Sequence, residues 1–262
     1  MHKWSCMRGV ASNTTFPKHF DGKRFYNPGG TPPKGWIDAL RWKLTTRPEP
    51  APRFIADVKQ SIPARRVERG ELRVTFVNHS TVLLQQGRLN ILTDPIWSER
   101  ASPFSWIGPR RRRKPGVRIE DLPPIDIVLI SHNHYDHLDV PTLRRMRVPK
   151  DCVFVAPLGV SRLLRSEGDR KTYELDWGDA QKIAEITIHC VPAAHFGGRR
   201  LLDRNRSLWC GYVIEFENQF IYFAGDTGFG DHFASVQQRF GALRLSLLPI
   251  GAYLPRWFME PC

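Results

Sequence analysis

Residues 129–139 read LISHNHYDHLD and follow directly on an apolar run. Three of the chain's nine histidines and two aspartates fall in the eight residues from His132 to Asp139. Chance would produce the pattern His-x-His-x-Asp-His in about 6 of ten thousand chains of this composition. A loop that leaves a rigid strand can turn several side chains toward one point, and imidazole and carboxylate groups are ligands of Zn, Fe and Mn. The stretch therefore predicts a metal site at the end of a strand.

A site for two metals needs ligands beyond this loop, and two further strand ends offer them. His195 ends the run ITIHCVPAAH and is followed by Phe196 and two glycines. Asp226 ends the run FIYFAGD and precedes Thr227-Gly228. Either residue alone would more often be a turn or capping residue. Because both follow strands downstream of the motif, we expect both to be metal ligands.

The pattern of apolar residues predicts a chain built mainly from short strands. A helical segment is predicted between two fully apolar strands, at PTLRRMR (141–147). Many strands with few helices favour an α/β fold, a sandwich of two packed β-sheets with outer helices. The predicted strands lie in residues 72–76, 81–94 (two strands around Gln86-Gly87), 125–131, 152–157, 186–195, 209–226 (a hairpin turning at Glu217-Asn218) and 243–251.

The net charge of +13 is concentrated in two places. Residues 1–70 carry +9 and residues 97–118 carry +6, which leaves the remainder close to neutral. We therefore divide the chain into a basic, Pro/Gly-rich N-terminal extension (1–70) that packs on the core and a core domain (71–262). The segment GWIDALRWKL in the extension predicts a short amphipathic helix that either packs on the domain or lies at an interface. Such localised basic charge is compatible with a solubilising surface or with an anionic partner.

Several classes of protein are disfavoured by the composition. No apolar run approaches the roughly 18 residues of a membrane span, and the N-terminus lacks a signal-peptide pattern, so a cytoplasmic protein is expected. The five cysteines are widely scattered, which argues against a disulfide framework and against a thiolate zinc site. The absence of G-x-S-x-G argues against a serine hydrolase.

The motifs SHNHYDHLD, PAAHFGG and FAGDTG, taken together, resemble the metallo-β-lactamase-fold hydrolases. The flanking sequences are similar to one branch, the N-acyl-phosphatidylethanolamine-hydrolysing phospholipase D family and its bacterial relatives. The matching stretches are HFDGKRFYNPGG, VNHSTVLLQ, LTDPIWSERASP, DLPPIDIVLISHNHYDHLD and LPIGAYLPRWFM. The resemblance runs from about residue 17 to the end of the sequence. It implies the αββα sandwich of this fold.

The resemblance also implies a set of site residues. Asp94 would hydrogen-bond to a metal-binding histidine and orient it. His79 would either do the same or be a core histidine whose hydrogen bonds are made within the protein. In the family a further histidine follows PRWFM, which here would fall just beyond Cys262. We therefore expect a chain that is C-terminally truncated relative to the family, with a weakened second metal site. The implied ligands are His132, His134 and His195 for one metal, Asp136 and His137 for the second, and Asp226 bridging both.

The implied activity is hydrolysis of a phospholipid phosphodiester by a metal-bridging hydroxide. Asp136 would also relay a proton, and Asp226 would fix the metal pair. We expect two divalent metals, zinc first, with iron or manganese as alternatives. The basic extension would contact a membrane peripherally. The sequence is compatible with a monomer and with a homo-oligomer. The alternatives are the same fold acting on nucleic acid or on a lactone or thioester, and a truncated, non-catalytic remnant.

Overall fold

The computed structural model describes residues 18–29, 36–46, 54–55, 59–104, 106–168, 170–200, 202–251, 255 and 257. The described residues divide into two compact units, each built on one β-sheet. The six-stranded unit contains the described residues of Ala51–Ala156 and Val160–Tyr173. The five-stranded unit contains those of Met1–Pro50, Pro157–Gly159 and Glu174–Cys262.

The sheet of the six-stranded unit is mixed. In the order β1-β2-β3-β4-β5-β6, the first three strands are antiparallel and β3, β4 and β5 run parallel. The strands β3, β4 and β5 are buried at every position, as expected for parallel strands in the interior of a sheet. The strands are β1 (Leu72–Asn78), β2 (Thr81–Gln86), β3 (Leu89–Thr93), β4 (Ile127–Leu129), β5 (Val153–Pro157) and β6 (Lys171–Leu175).

Short helices follow the parallel strands of this unit. They are a 3₁₀ turn (Ile119–Asp121), α2 (Val140–Arg145) and α3 (Ser161–Ser166). Helix α2 starts with a proline in its first turn, where the missing N–H costs nothing. Leu143 on α2 and Leu164 on α3 join the same buried cluster as Phe154 of β5. Each such buried side chain contributes about 1.5–3 kcal/mol to folding.

The sheet of the five-stranded unit is also mixed. Its order is β11-β10-β9-β8-β7, with β10 and β11 parallel and the other pairs antiparallel. The predicted hairpin is present and turns at Glu217 and Asn218, which both have positive φ (43° and 64°), as a type I′ turn requires. The elements are α1 (Trp36–Thr45), β7 (Ala180–Ile183), β8 (Ile186–Val191), β9 (Gly211–Phe216), β10 (Gln219–Phe223), α4 (His232–Phe240) and β11 (Leu245–Leu247).

The strand directions decide where the polar loops lie. In the six-stranded unit β3 and β4 are parallel neighbours, with Thr93 opposite Leu129. Asp94 and Ser131 therefore leave the sheet at the same edge. In the five-stranded unit β8 and β10 both pair antiparallel with β9 and so run in the same direction. The loops that carry His195 and Asp226 consequently leave that sheet at a common edge.

Residues 18–29 of the predicted extension are bound to the five-stranded unit. The Phe25 amide donates to the Asn205 carbonyl at 2.8 Å, and His19 pairs with Asp176 at 2.7 Å. Residues 59–70 contact the six-stranded unit instead, where Arg66 forms a two-pronged ion pair with Asp126. The predicted α/β class with two mixed β-sheets is confirmed. The domain boundary at residue 70 stays a prediction.

Candidate metal centre

The loop that follows β4 is anchored by a buried carboxylate. Asp94 is fully buried and accepts hydrogen bonds from the Ser131 amide at 2.7 Å and the Ser131 hydroxyl at 2.6 Å. Burial raises the pKa of Asp94, while the charge of His137 and hydrogen bonds from His137 and Ser131 oppose that shift. Asp94 itself has a φ of 33°, which few residues other than glycine adopt. The end of β3 thus fixes the start of the histidine loop.

His132 and His134 bring two ring nitrogens together. Because the Ser131 hydroxyl donates to Asp94, its oxygen can accept from the His132 Nδ1, which lies 2.9 Å away. That leaves the His132 Nε2 with its lone pair, and it faces the His134 Nδ1 at 2.9 Å. Two ligands of a tetrahedral zinc are about 3.3 Å apart when each metal–nitrogen bond is 2.0–2.1 Å. The pair is therefore close to the spacing that a shared metal imposes.

His137 is oriented in the same way. Its Nδ1 lies 2.7 Å from the Asp94 Oδ2, the oxygen that also accepts from the Ser131 hydroxyl, and both side chains are completely buried. This carboxylate–histidine contact is the usual support of a metal-binding imidazole, and in such sites the other ring nitrogen, here Nε2, is the metal ligand. Asp94 thus contacts His137, one of the residues that the resemblance implies as metal ligands, and the roles of both residues at a metal stay predictions.

Asp136 and His79 both lie near the His137 Nε2. The His79 Nε2 lies 3.1 Å from the Asp136 carboxylate and 3.3 Å from the His137 Nε2. Burial works against the charge of Asp136, but the hydrogen bond from His79 and the charges of the neighbouring histidines outweigh it. The pKa of Asp136 therefore lies well below its usual range, and this carboxylate is ionised at neutral pH.

Within the six-stranded unit these side chains form two overlapping groups that could hold a metal ion. One consists of His79, Asp136 and His137, and the other of Asp94, His132 and His137. The donors are imidazole nitrogens and carboxylate oxygens, whose chemistry suits zinc, iron or manganese. The arrangement fits a bound metal on its own geometry.

The five-stranded unit holds the remaining predicted ligands, His195 and Asp226. The His195 Nε2 lies 4.0 Å from an Asp226 oxygen. Their loops are joined by two hydrogen bonds, from the Ala194 amide to the Thr227 hydroxyl and from the Gly228 amide to the Ala194 carbonyl, each 2.9 Å long. His195 and Asp226 thus lie close together in this unit, and their role as metal ligands stays a prediction.

Asn27 supports the His195 loop from the extension. Its side-chain amide donates to the His195 carbonyl at 2.9 Å and accepts from the Trp209 indole at 3.1 Å. The indole also donates to the Ala193 carbonyl at 2.9 Å. Asn27 was not predicted as a site residue, because its sequence position gives no sign of a partner 168 residues away.

Asp139, the last residue of the opening motif, has a structural role. Its carboxylate accepts from the Ser98 amide and hydroxyl at 3.0 and 2.8 Å and from the Thr142 hydroxyl. The Thr142 hydroxyl oxygen accepts in turn from the Trp97 amide at 2.7 Å. Asp139 therefore links the segment after β3 to the first turn of α2.

The basic segment 97–118 carries both charge and exposed apolar side chains. Phe104, Trp106 and Ile107 are 53%, 73% and 51% exposed. Arg110, at the start of the run of basic residues, pairs with Glu99 on the surface. Arg111, by contrast, donates to the Ser98 carbonyl and is partly buried, and burial lowers its pKa. Part of the basic run thus fixes the loop, while the rest faces solvent.

Comparison with known proteins gives one family match and several relatives. Residues 89–262 match the β-lactamase superfamily domain. The chain is 41% identical over 219 residues to an uncharacterised protein of Mycobacterium tuberculosis, a match that covers 82% of this chain and 58% of that protein. It is 36% identical over 256 residues to N-acyl-phosphatidylethanolamine-hydrolysing phospholipase D 1 of Caenorhabditis elegans, covering 91% of this chain and 71% of the nematode protein. This chain therefore spans somewhat more than half the length of the mycobacterial relative.

Among solved structures, a metallo hydrolase of the archaeon Ignicoccus hospitalis superposes with a TM-score of 0.52 at 21% identity. The match covers 69% of this chain and 71% of the archaeal one. At this identity the similarity shows the fold alone. None of the helices in the described part of the chain combines the length and apolar character needed to cross a membrane.

Proposed function

Because the chain belongs to the β-lactamase superfamily, in the group that includes the nematode N-acyl-phosphatidylethanolamine-hydrolysing phospholipase D 1, we propose that it hydrolyses a phospholipid phosphodiester. The predicted metallo-β-lactamase fold is confirmed, and the protein is a metallo-hydrolase of this superfamily. The proposed reaction adds water across the phosphodiester, releases an alcohol such as an N-acylethanolamine and leaves phosphatidic acid. The observation that carries this substrate class is the 36% identity, over 91% of the chain, with a relative whose name states the reaction.

We assign the metal ligands as two sets of side chains. His132 and His134, with their facing nitrogens, would hold one metal together with His195. Asp136 and the His137 Nε2 would hold the second, and Asp226 would bridge the pair. The spacing of the donor atoms in the histidine loop supports this assignment. Zinc suits these ligands, and iron and manganese are accepted by the same donors.

The reaction needs an activated water and a stabilised leaving group. When bound, two divalent metals supply Lewis acidity for the phosphoryl oxygen and make hydroxide available near neutral pH. Asp136, which contacts His79 and lies beside His137, would relay the proton of the attacking water. As the phosphorus–oxygen bond to the alcohol breaks, the same proton would pass to the leaving oxygen. Asp94 keeps the imidazole of His137 in one orientation throughout.

Contact with the membrane is the second part of the proposal. Phe104 and Trp106 are exposed beside the basic residues of the same segment. Aromatic side chains favour the interface of a bilayer, and each basic residue near an anionic surface contributes about 1 kcal/mol. On helix α1 of the other unit, Ile37 and Leu44 are also exposed. We propose that these surfaces bring the protein to its lipid substrate.

The test is a substrate panel on the zinc-loaded chain. Vesicles containing N-acyl-phosphatidylethanolamine should yield N-acylethanolamine and phosphatidic acid in equal amounts by mass spectrometry. The His132→Ala variant or a chelator should abolish both products, and His189→Gln, in β8, should retain them. Full occupancy by two metals without lipid turnover would exclude the proposed substrate. RNA and lactones in the same panel would detect the alternative hydrolases. A metal content of one equivalent or none would favour a non-catalytic protein.

A further inference from the structure

We propose that His79 coordinates the second metal directly through its Nε2, rather than supporting another ligand. This inference rests on the proposed two-metal centre and adds a ligand from outside the histidine loop and the two downstream strand ends. His79 lies in the tight turn between β1 and β2, 57 residues from Asp136 in sequence.

The distances among three donor atoms carry the inference. The His79 Nε2 is 3.1 Å from the Asp136 Oδ2 and 3.3 Å from the His137 Nε2, and the last two atoms are 3.9 Å apart. Ligand atoms bound tetrahedrally at 2.0–2.2 Å from one zinc are separated by about 3.3–3.6 Å. The three atoms therefore approximate three corners of one coordination tetrahedron.

The distribution of protons also favours coordination. The His137 Nδ1 lies 2.7 Å from the Asp94 carboxylate, so in the neutral, metal-binding form of this ring the proton is on Nδ1 and the lone pair is on Nε2. The His79 Nε2 approaches both this lone pair and a carboxylate oxygen. If His79 carried a proton there, that proton would have to be shared between two acceptors. A divalent cation placed among the three atoms satisfies all of them at once.

The backbone holds His79 in place from both sides. Its φ is 50°, in the left-handed region that histidine seldom adopts. The flanking residues are fixed, since the Asn78 side chain donates to the Ile96 carbonyl and the Ser80 carbonyl accepts from Thr93. Strained conformations of this kind persist where the surrounding structure determines them, and they cluster at functional sites. The ring is 45% exposed, which leaves the outer side of the site open to water.

The alternative is that His79 only orients Asp136 through a hydrogen bond. The two roles differ in what happens to the Nε2 proton. In the alternative, the His79 Nε2 remains protonated when metal is bound. In the proposal, metal binding displaces that proton.

The first experiment measures stepwise zinc binding with a competing chelator. The unsubstituted chain should bind two zinc ions. In His79→Gln the zinc affinity of the tighter site should be unchanged, whereas that of the other site should fall by more than about 100-fold. The loss of a residue that only hydrogen-bonds to a metal ligand typically costs about 10–100-fold. The matched control is His189→Gln, which removes an imidazole from β8 in the other unit and should bind zinc as the parent does. Unchanged second-site affinity in His79→Gln would overturn the inference.

The second experiment observes the ring directly. A long-range ¹H–¹⁵N spectrum of the zinc-loaded protein should place the His79 Nε2 at the position of a metal-bound nitrogen. A protonated Nε2 in the two-zinc protein would overturn the inference while leaving the proposed hydrolase intact. Metal-bound His79 in a protein that fails to turn over lipid would refute the proposed substrate and uphold this site. Binding of fewer than two zinc ions by the parent chain would refute both the second metal and its ligand.

Discussion

The Asp94 carboxylate holds three groups at once, namely the Ser131 amide, the Ser131 hydroxyl and the His137 ring. In Asp94→Asn the side chain retains its shape, but an amino group replaces one of the two oxygens. At the Oδ2 position it takes the acceptor away from both the His137 ring and the Ser131 hydroxyl, and at the Oδ1 position it takes it away from the Ser131 amide. We expect zinc affinity to fall by about 10–100-fold, the usual cost of losing a carboxylate behind a metal-bound histidine. Zinc titration with a competing chelator measures the change.

The matched control for this substitution is Asp126→Asn. Asp126 is a partly buried aspartate of the same unit that pairs with Arg66, so its loss affects stability but not the histidine loop. Equal loss of zinc affinity in both variants would show that the effect is general destabilisation and not the support of His137.

Some of the residues around the site could be predicted from sequence, and the reason is physical. Four candidate metal ligands fall within six positions, so one local sequence pattern is enough to indicate a common metal site. They are His132, His134, Asp136 and His137. Ser131 and Asn27 gave no such signal. Their roles depend on contacts with Asp94 and His195 that form only when distant strands pair.

At the scale of elements, Gly116 packs closely against the backbone of the edge strand β1. Its amide donates to the Val77 carbonyl at 2.7 Å, and a β-carbon added there would lie 2.7 Å from the Phe76 carbonyl oxygen. Because both contacts involve backbone, neither can move aside easily. Gly116→Ala should lower the free energy of unfolding by about 1–3 kcal/mol, the typical cost of overpacking.

Urea unfolding followed by circular dichroism measures this effect. Gly251→Ala is the control, since a β-carbon there meets no described atom within 4 Å and its φ is not in the left-handed region. That change should stay within about 0.5 kcal/mol. If the two variants are equally stable, the segment at Gly116 is more adaptable than its close contacts imply.

Most strands could be predicted because their signals are local. The hairpin at Glu217-Asn218 joins two apolar strands through residues that tolerate positive φ. The strand expected over 125–131 is limited to Ile127–Leu129 as a paired element. The Ile130 amide still donates to the Val155 carbonyl of β5, and the histidine loop begins at Ser131. Strand ends at a functional loop are set by tertiary contacts, which periodicity does not report.

At the scale of the whole molecule, the net charge of +13 predicts attraction to anionic surfaces of many kinds. The segment 97–118 should nevertheless dominate, because its charge lies beside exposed Phe104 and Trp106. Replacing Arg110, Arg112 and Lys114 by Gln should weaken binding to anionic phospholipid vesicles by about 3 kcal/mol, or roughly 150-fold. Vesicle co-sedimentation at low salt measures the affinity, which should fall as salt is added.

The control for this experiment removes the same charge elsewhere on the six-stranded unit. Arg88→Gln, Arg147→Gln and Lys150→Gln together change three exposed basic residues. This variant should retain most of the vesicle affinity. If both triple variants bind equally weakly, the attraction arises from net charge and no particular segment is responsible.

The positions of the two units along the chain determine which of them can fold first during synthesis. Every described residue of the six-stranded unit precedes Glu174. At the usual 5–20 residues per second, this unit emerges from the ribosome several seconds before the last strands of the other. The segment around Phe25, made first, must wait for residues such as Asp176 and Asn205 before it can dock. We therefore expect His79, Asp136 and His137 to be able to capture a metal on the nascent chain, before His195 and Asp226 have been translated.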